Sequence, residues 1–254
     1  MSEPEHSAVP SAAMLVIGDE ILSGRTQDSN FAYLAKFLAA LGIDLREGRI
    51  VADDEAGIIA AITALKDSYD YVFTSGGIGP THDDITTDAV AKAFATPVSV
   101  HPEAFARLAE RYAPGEFTPA RQRMARIPEG AHLIRNSVSV APGFQLANVF
   151  VMAGVPMIFR AMLEDVAPRL RRGALVRAVT IRASIGEGRI ADALRALQGA
   201  HKEVVIGSYP YFREDGYGVQ LVARGRNLSA VEAAATAIER MLAEAGAAGE
   251  RLNG

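Results

Sequence analysis

The chain contains no cysteine. That excludes a disulfide framework, thiolate metal sites and cysteine nucleophiles, and it agrees with a reducing compartment, so the expected location is cytoplasmic. No apolar run approaches the roughly 18 residues that span a bilayer, and no membrane partner is expected. The start, MSEPEHSAVPSAA, lacks the basic opening and apolar stretch of a secretory signal. Residues 1–11 read instead as a loose tail. Positive charge is not in surplus either: 26 Lys and Arg face 30 Asp and Glu, for a net charge of −4. With no long basic run, a nucleic-acid partner is not expected. No repeat at solenoid spacing is present.

What is present is globular: 254 residues, 49% hydrophobic and 22% charged, enough to bury a full core. Strand-like apolar runs alternate with amphipathic helical runs, the pattern of an α/β protein with a mostly parallel sheet covered on both faces. Residues 13–18 (AMLVIG) suit a buried central strand. Asp28 or Ser29 can cap a helix carrying Leu34, Leu38 and Leu41, which Gly42 ends. Residues 43–51 read as a second strand. Asp53 or Asp54 then caps a helix whose buried face is Ile58, Ile62 and Leu65. A third strand, 69–74, runs into a glycine-rich segment. The main domain is expected over 12–172. Beyond it, 175–246 reads β-α-β-β-α, a small ferredoxin-like α+β subdomain, with Ser229 and Glu232 forming a capping box for the last helix.

The chemistry concentrates where that third strand opens into SGGIGPTHDDIT, residues 75–86. Glycines between a parallel strand and a helix let the backbone turn sharply. The N–H groups of Gly76, Gly77, Ile78 and Gly79, backed by Thr81 and the helix N-terminus, then favour phosphate. Such ligands lie at the carboxyl ends of the strands. No Lys-Ser/Thr follows the last glycine, which excludes a Walker A loop, and His82 stands where a dinucleotide fingerprint requires a third glycine or alanine. Two readings of Asp83 and Asp84 stand side by side. They cap the helix, or they hold a divalent cation that offsets their repulsion of a phosphate. His82 alone is more often neither ligand nor base. A second loop, after the first strand, again puts acids at the carboxyl edge: Gly18, Asp19 and Glu20, followed by Asp28 and Asn30.

These two loops together resemble the molybdenum-cofactor-biosynthesis (molybdopterin-binding) domain superfamily. The match is nearest to the N-terminal domain of competence/damage-inducible protein A and to the molybdopterin-binding-like domain of FAD synthase. The matching residues are GDEILSG at 18–24, GGIGPTHDDIT at 76–86, IPEGA at 127–131, Asn136, APGF at 141–144 and AGVP at 153–156, with GSYP at 207–210 matching the FAD-synthase branch. The resemblance implies a three-layer α/β/α domain that assembles as a homo-oligomer, an assembly that Met157, Phe159 and Met162 on one helix would also serve. It implies a pocket for a small phosphorylated ligand, pterin or adenine nucleotide, and brings Gly18, Glu20, Asn30, Asn136, Pro142, Gly143, Gly154 and Pro156 to that pocket. Molybdopterin is one ligand it implies. The other is a nucleotide diphosphate, ADP-ribose or FAD, cleaved with Mg, Mn or Co through Asp84 and Asp83. The chain departs from the competence-protein pattern at Val138-Ser139-Val140, and has Met157-Ile158 where that pattern follows its Gly-Val-Pro with an acid. Neither an amidase nor an adenylyltransferase activity is expected.

Overall fold

The computed structural model describes residues 9–213 and 216–252. Residues 1–8 of the expected tail lie outside the described residues; Ser11, also assigned to it, already belongs to the first strand. The chain divides into two compact units between Gly173 and Ala174.

The first unit runs β1 Ser11–Ile17, α1 Asp19–Leu22, α2 Asn30–Ala40, β2 Asp44–Val51, α3 Glu55–Lys66, β3 Tyr71–Ser75 and α4 Thr86–Ala93. It continues with β4 Val98–Val100, α5 Pro102–Arg111, α6 Pro119–Gln122, β5 Arg126–Pro128, β6 His132–Ile134, β7 Gly143–Leu146, β8 Val149–Met152 and α7 Pro156–Val166. Six strands form one sheet in the order β2-β1-β3-β8-β7-β6, while β4 and β5 pair separately. The contacts β1–β2, β1–β3 and β3–β8 are parallel, and β7 and β6 add antiparallel edges.

The strand β1 shows why this sheet has a layer on each face. Side chains alternate across a strand, and every residue from Ala12 to Ile17 is buried. Met14 and Val16 pack with Leu34, Phe73, Phe150 and Phe159 on one side. Leu15 and Ile17 pack with Ile58, Ile62, Leu65 and Val90 on the other. Each such side chain, fully buried, contributes about 1.5–3 kcal/mol. Phe159 and Met162, two of the three residues behind the expected oligomer contact, are buried in this core; only Met157 is exposed.

The second unit is β9 Arg177–Ala183, α8 Ala191–Ala200, β10 Val205–Arg213, β11 Gly216–Gly225, α9 Leu228–Glu244 and β12 Gly249–Leu252. Its sheet, β10-β11-β9-β12, is antiparallel throughout, and α9 packs Val231, Ile238 and Leu242 against Ile181 and Leu221. The order β-α-β-β-α-β is ferredoxin-like. The strand β12 completes it beyond the expected β-α-β-β-α. It was missed because an exposed Gly-Glu-Arg-Leu edge carries no apolar alternation. The Ser229–Glu232 capping box is also corrected: α9 starts two residues earlier than that box requires, and Asn227 caps it by accepting the Ala230 N–H at 3.2 Å. Among the described residues, no helix is long and apolar enough to cross a membrane.

Candidate functional site

Parallel strands deliver their carboxyl ends to one edge of the sheet, and the first unit uses that edge. There Gly76, directly after β3, has φ of 111°, and a Cβ on it would sit 2.2 Å from the Ile17 carbonyl oxygen at the end of β1. At Gly77, with φ of 68°, a Cβ would meet Thr86 Oγ1 at 2.1 Å. Only glycine adopts this backbone and this proximity without strain. The buried Thr86 closes the loop, its N–H donating to the Gly77 carbonyl at 3.0 Å and its hydroxyl to the Gly76 carbonyl at 3.1 Å. Beneath it Asn30, also buried, donates from Nδ2 to Ser75 Oγ and to the Gly154 carbonyl, both at 2.8 Å. That single amide ties the end of β3 to the turn before α7.

Above these ties lies a cleft of about 670 Å³, within the usual range for small-molecule sites. Its wall takes Gly18 and Glu20 from the first loop, Gly76, Gly77, Ile78, Gly79, Asp83 and Asp84 from the second, and Gly154 and Pro156 from the turn before α7. The other expected site residues lie behind or beside it. The Thr81 N–H and hydroxyl both donate to Asp84 Oδ2, at 2.8 and 2.5 Å, and so fix that carboxylate. Asn136 braces the loop 136–141, donating to the Ala141 carbonyl at 2.7 Å and accepting the Ser139 N–H at 2.7 Å. Through it Ser139 and Ala141 reach the cleft. Pro142 borders a small neighbouring cavity. Gly143 sits inside β7, where a Cβ would lie 2.3 Å from the Val151 carbonyl oxygen; its glycine answers to strand packing.

One expectation about the acids is corrected and another is narrowed to a single residue. Neither Asp83 nor Asp84 caps α4, whose N-cap position is Ile85 with no side-chain hydrogen bond. The Asp84 carboxylate turns back to Thr81 instead, because the loop's own turn leaves that N–H without another partner. Second, Asp54 caps α3, accepting the Gly57 N–H at 2.7 Å, which leaves Asp53 free to line the cleft. Sequence reasoning had treated these two acids as interchangeable caps. The signal that separates them is position, since Asp53 follows the carboxyl end of β2, the strand beside β1.

The cleft is electrostatically one-sided. Glu20, Asp53, Asp83 and Asp84 line it, and among the described residues no lysine or arginine does. Partial burial is the main cause that pushes the Asp53 carboxyl above its ordinary range. The Asp19 N–H, bonded at 3.0 Å, opposes this, and the neighbouring Asp19, Glu20 and Asp83 charges add to it. The Asp83 carboxyl is held below the ordinary range, chiefly by the Thr81 side chain. His82, almost fully exposed, stands 4.0 Å from Asp83 and does not line the cleft. Among the described residues, no three His, Asp or Glu side chains converge into a complete cation cage. This donor set fits a hard divalent ion held by one or two carboxylates, with the remaining ligands taken from a phosphorylated guest.

Residues 13–172 match the family described as a probable molybdopterin binding domain, and residues 176–250 match the FAD synthase middle domain. A CinA-like protein of Desulfosudis oleivorans is 38% identical over 192 residues, covering 73% of this chain and 44% of that protein. A probable FAD synthase of Caenorhabditis elegans is 31% identical over 261 residues, covering 92% of this chain and 50% of that protein. The chain therefore spans about half the length of these two relatives. In the crystal structure of CinA from Thermoplasma acidophilum, 33% identical, the fold superposes with a TM-score of 0.60 over 63% of this chain and 98% of that one.

Proposed function

Given that the chain belongs to the probable molybdopterin binding domain family, we propose that it is a divalent-metal-dependent pyrophosphatase of a nucleotide diphosphate such as ADP-ribose or FAD. One observation carries the reading: four carboxylates and the backbone of a glycine loop line one ligand-sized cleft, with no basic side chain on its wall among the described residues. An anionic guest enters such a site only with cations to offset the charge, and a diphosphate is the common guest that brings them. A bound divalent ion would supply charge neutralisation and polarisation of the phosphoryl oxygens.

The residues then divide the work. Asp84, fixed by Thr81, and Asp83, kept ionised, would hold the cation. The N–H groups of Gly77 to Gly79 stabilise the charge that develops on the phosphoryl oxygens. Asp53, whose raised pKa suits it to proton transfer, takes the proton of the attacking water. The water oxygen joins phosphorus, the bridging P–O bond breaks, and the bridging oxygen leaves with the second phosphate. ADP-ribose would give AMP and ribose 5-phosphate. The setting for this work is the cytoplasm.

The test is turnover of ADP-ribose and FAD by the purified full chain with Mg²⁺, Mn²⁺ or Co²⁺, read as AMP by chromatography. Metal-dependent AMP release supports the hydrolase. Absence of turnover, together with tight binding of a pterin or nucleotide identified by mass spectrometry of the denatured supernatant, replaces it with a non-catalytic molybdopterin or cofactor carrier.

A further inference from the structure

Among the described residues no basic side chain lines the cleft, but an arginine lines the small cavity beside it. The cleft and the small cavity next to it share Ile78, Gly79, Asp84 and Met124, and Arg123 lines the cavity but not the cleft. That cavity holds about 20 Å³, room for a water and nothing larger, so it is not a ligand site itself. Asp84 and Arg123 both line this gap.

The charges around this gap are unequally committed. Asp88 and Arg126 form a bidentate pair at 2.6 and 3.0 Å. Asp84 accepts both donors of Thr81. Nearby Arg121 donates to the Glu116 carbonyl at 2.5 Å and lies 4.4 Å over the Tyr112 ring. Of these three arginines only the Arg123 side chain has no hydrogen bond, ion pair or ring contact among the described residues, although it is partly buried. A guanidinium withdrawn from water without a partner is unfavourable unless a partner arrives. Arg123 also begins the 3-10 turn Arg123–Ala125 that follows α6, and its chain neighbour Met124 lines both the cavity and the cleft.

We propose that Arg123 is the anion-gripping residue of this cleft: it turns past Met124 and binds a terminal or bridging oxygen pair of a diphosphate, opposite the cation held at Asp83 and Asp84. The inference rests on the diphosphate reading of the cleft. It sharpens that reading to ligands with two adjoining phosphates, because a planar guanidinium fork matches paired phosphate oxygens. It also gives the acid-lined wall a positive charge that is present only when an anion draws it in.

The probe is inorganic pyrophosphate with Mg²⁺, titrated calorimetrically into the full chain as wild type, Arg123→Gln and Arg123→Lys, with melting temperatures measured alongside. Loss of a charged hydrogen bond of this kind weakens binding by about 10- to 100-fold. The expected result is that loss in Arg123→Gln, partial recovery in Arg123→Lys, and an unchanged melting temperature in both. Equal affinity in wild type and Arg123→Gln overturns the inference, as does a wild type that binds no pyrophosphate, or a loss of affinity that tracks a loss of stability. Turnover separates this from the hydrolase itself. Pyrophosphate binding that depends on Arg123, with ADP-ribose and FAD left intact, keeps the arginine and removes the hydrolase. Hydrolysis with the same KM in wild type and Arg123→Gln keeps the hydrolase and removes the arginine.

Discussion

The two units solve the same problem of covering a sheet and reach opposite chemical outcomes. In the first, β1 and β3 are parallel, so the loops that follow them emerge side by side and put Glu20, Asp83 and Asp84 on one cleft. In the second, every pairing is antiparallel, so successive strand ends alternate between edges. Its acids pair with arginines instead: Glu232 and Glu239 clasp Arg251, and Glu250 holds Arg182. Carboxylates left unmatched are a liability for folding, and strand direction decides whether a fold gathers them into a site or spends them on its own surface.

The sharpest way to break this contrast is at the point where the two strand ends nearly touch. Replacing Gly76 by Ala puts a methyl 2.2 Å from the Ile17 carbonyl at positive φ, and we expect a loss of about 3 kcal/mol by denaturant unfolding. Gly188→Ala in the second unit, where a Cβ meets nothing within 4 Å, should stay within about 0.5 kcal/mol. Equal losses would mean that the glycine loop is not the constrained element.

Next in size is Asp84→Asn. The amide oxygen still accepts the Thr81 N–H, so unfolding free energy should move by less than about 1 kcal/mol, while hydrolysis of ADP-ribose or FAD falls by about 100-fold or more. Equal turnover in both proteins would end the catalytic claim. For the second unit, Arg251→Gln breaks two exposed pairs and should cost under about 1 kcal/mol with no change in turnover; a drop in turnover would give that unit a share in the chemistry.

The smallest effect tests the gathered acids. Because the folded Asp53 carboxyl titrates above its ordinary range, the folded state binds its proton more tightly than the unfolded state. Stability from this group is present in acid and is lost as pH rises through the raised pKa. Asp53→Asn should therefore raise the melting temperature at pH 7 by about 1–3 °C, with the gain shrinking as pH falls through the carboxyl's titration range. A lower melting temperature at pH 7 would show that Asp53 stabilises the loop rather than serving it.

The glycine run at 76–79 and the apolar run in β1 were legible because each answers to a local rule: glycine permits the turn, and continuous burial requires continuous apolarity. The acids were less legible. Asp53 and Asp54 look alike in a string of letters, and only the entry angle of α3 makes one a cap and the other a cleft residue. Asn30, placed among expected ligand contacts, instead ties Ser75 to Gly154 across the sheet edge. Met124 and Arg123 carried no periodic or motif signal, since they come to the cleft and the cavity beside it from an excursion of the chain between β4 and β5.

By itself the sequence determined the α/β class, the parallel strands of the first unit, the ferredoxin-like character of the second and the segment where chemistry would gather. Those follow from periodicity, backbone permissiveness and residue pattern, all of which act over a few neighbouring residues. Tertiary structure alone decided which carboxylates stand unmatched on one wall and which arginine is left without a partner beside them. Charge neutralisation depends on distances between residues far apart in the chain, and no spacing along the sequence encodes those.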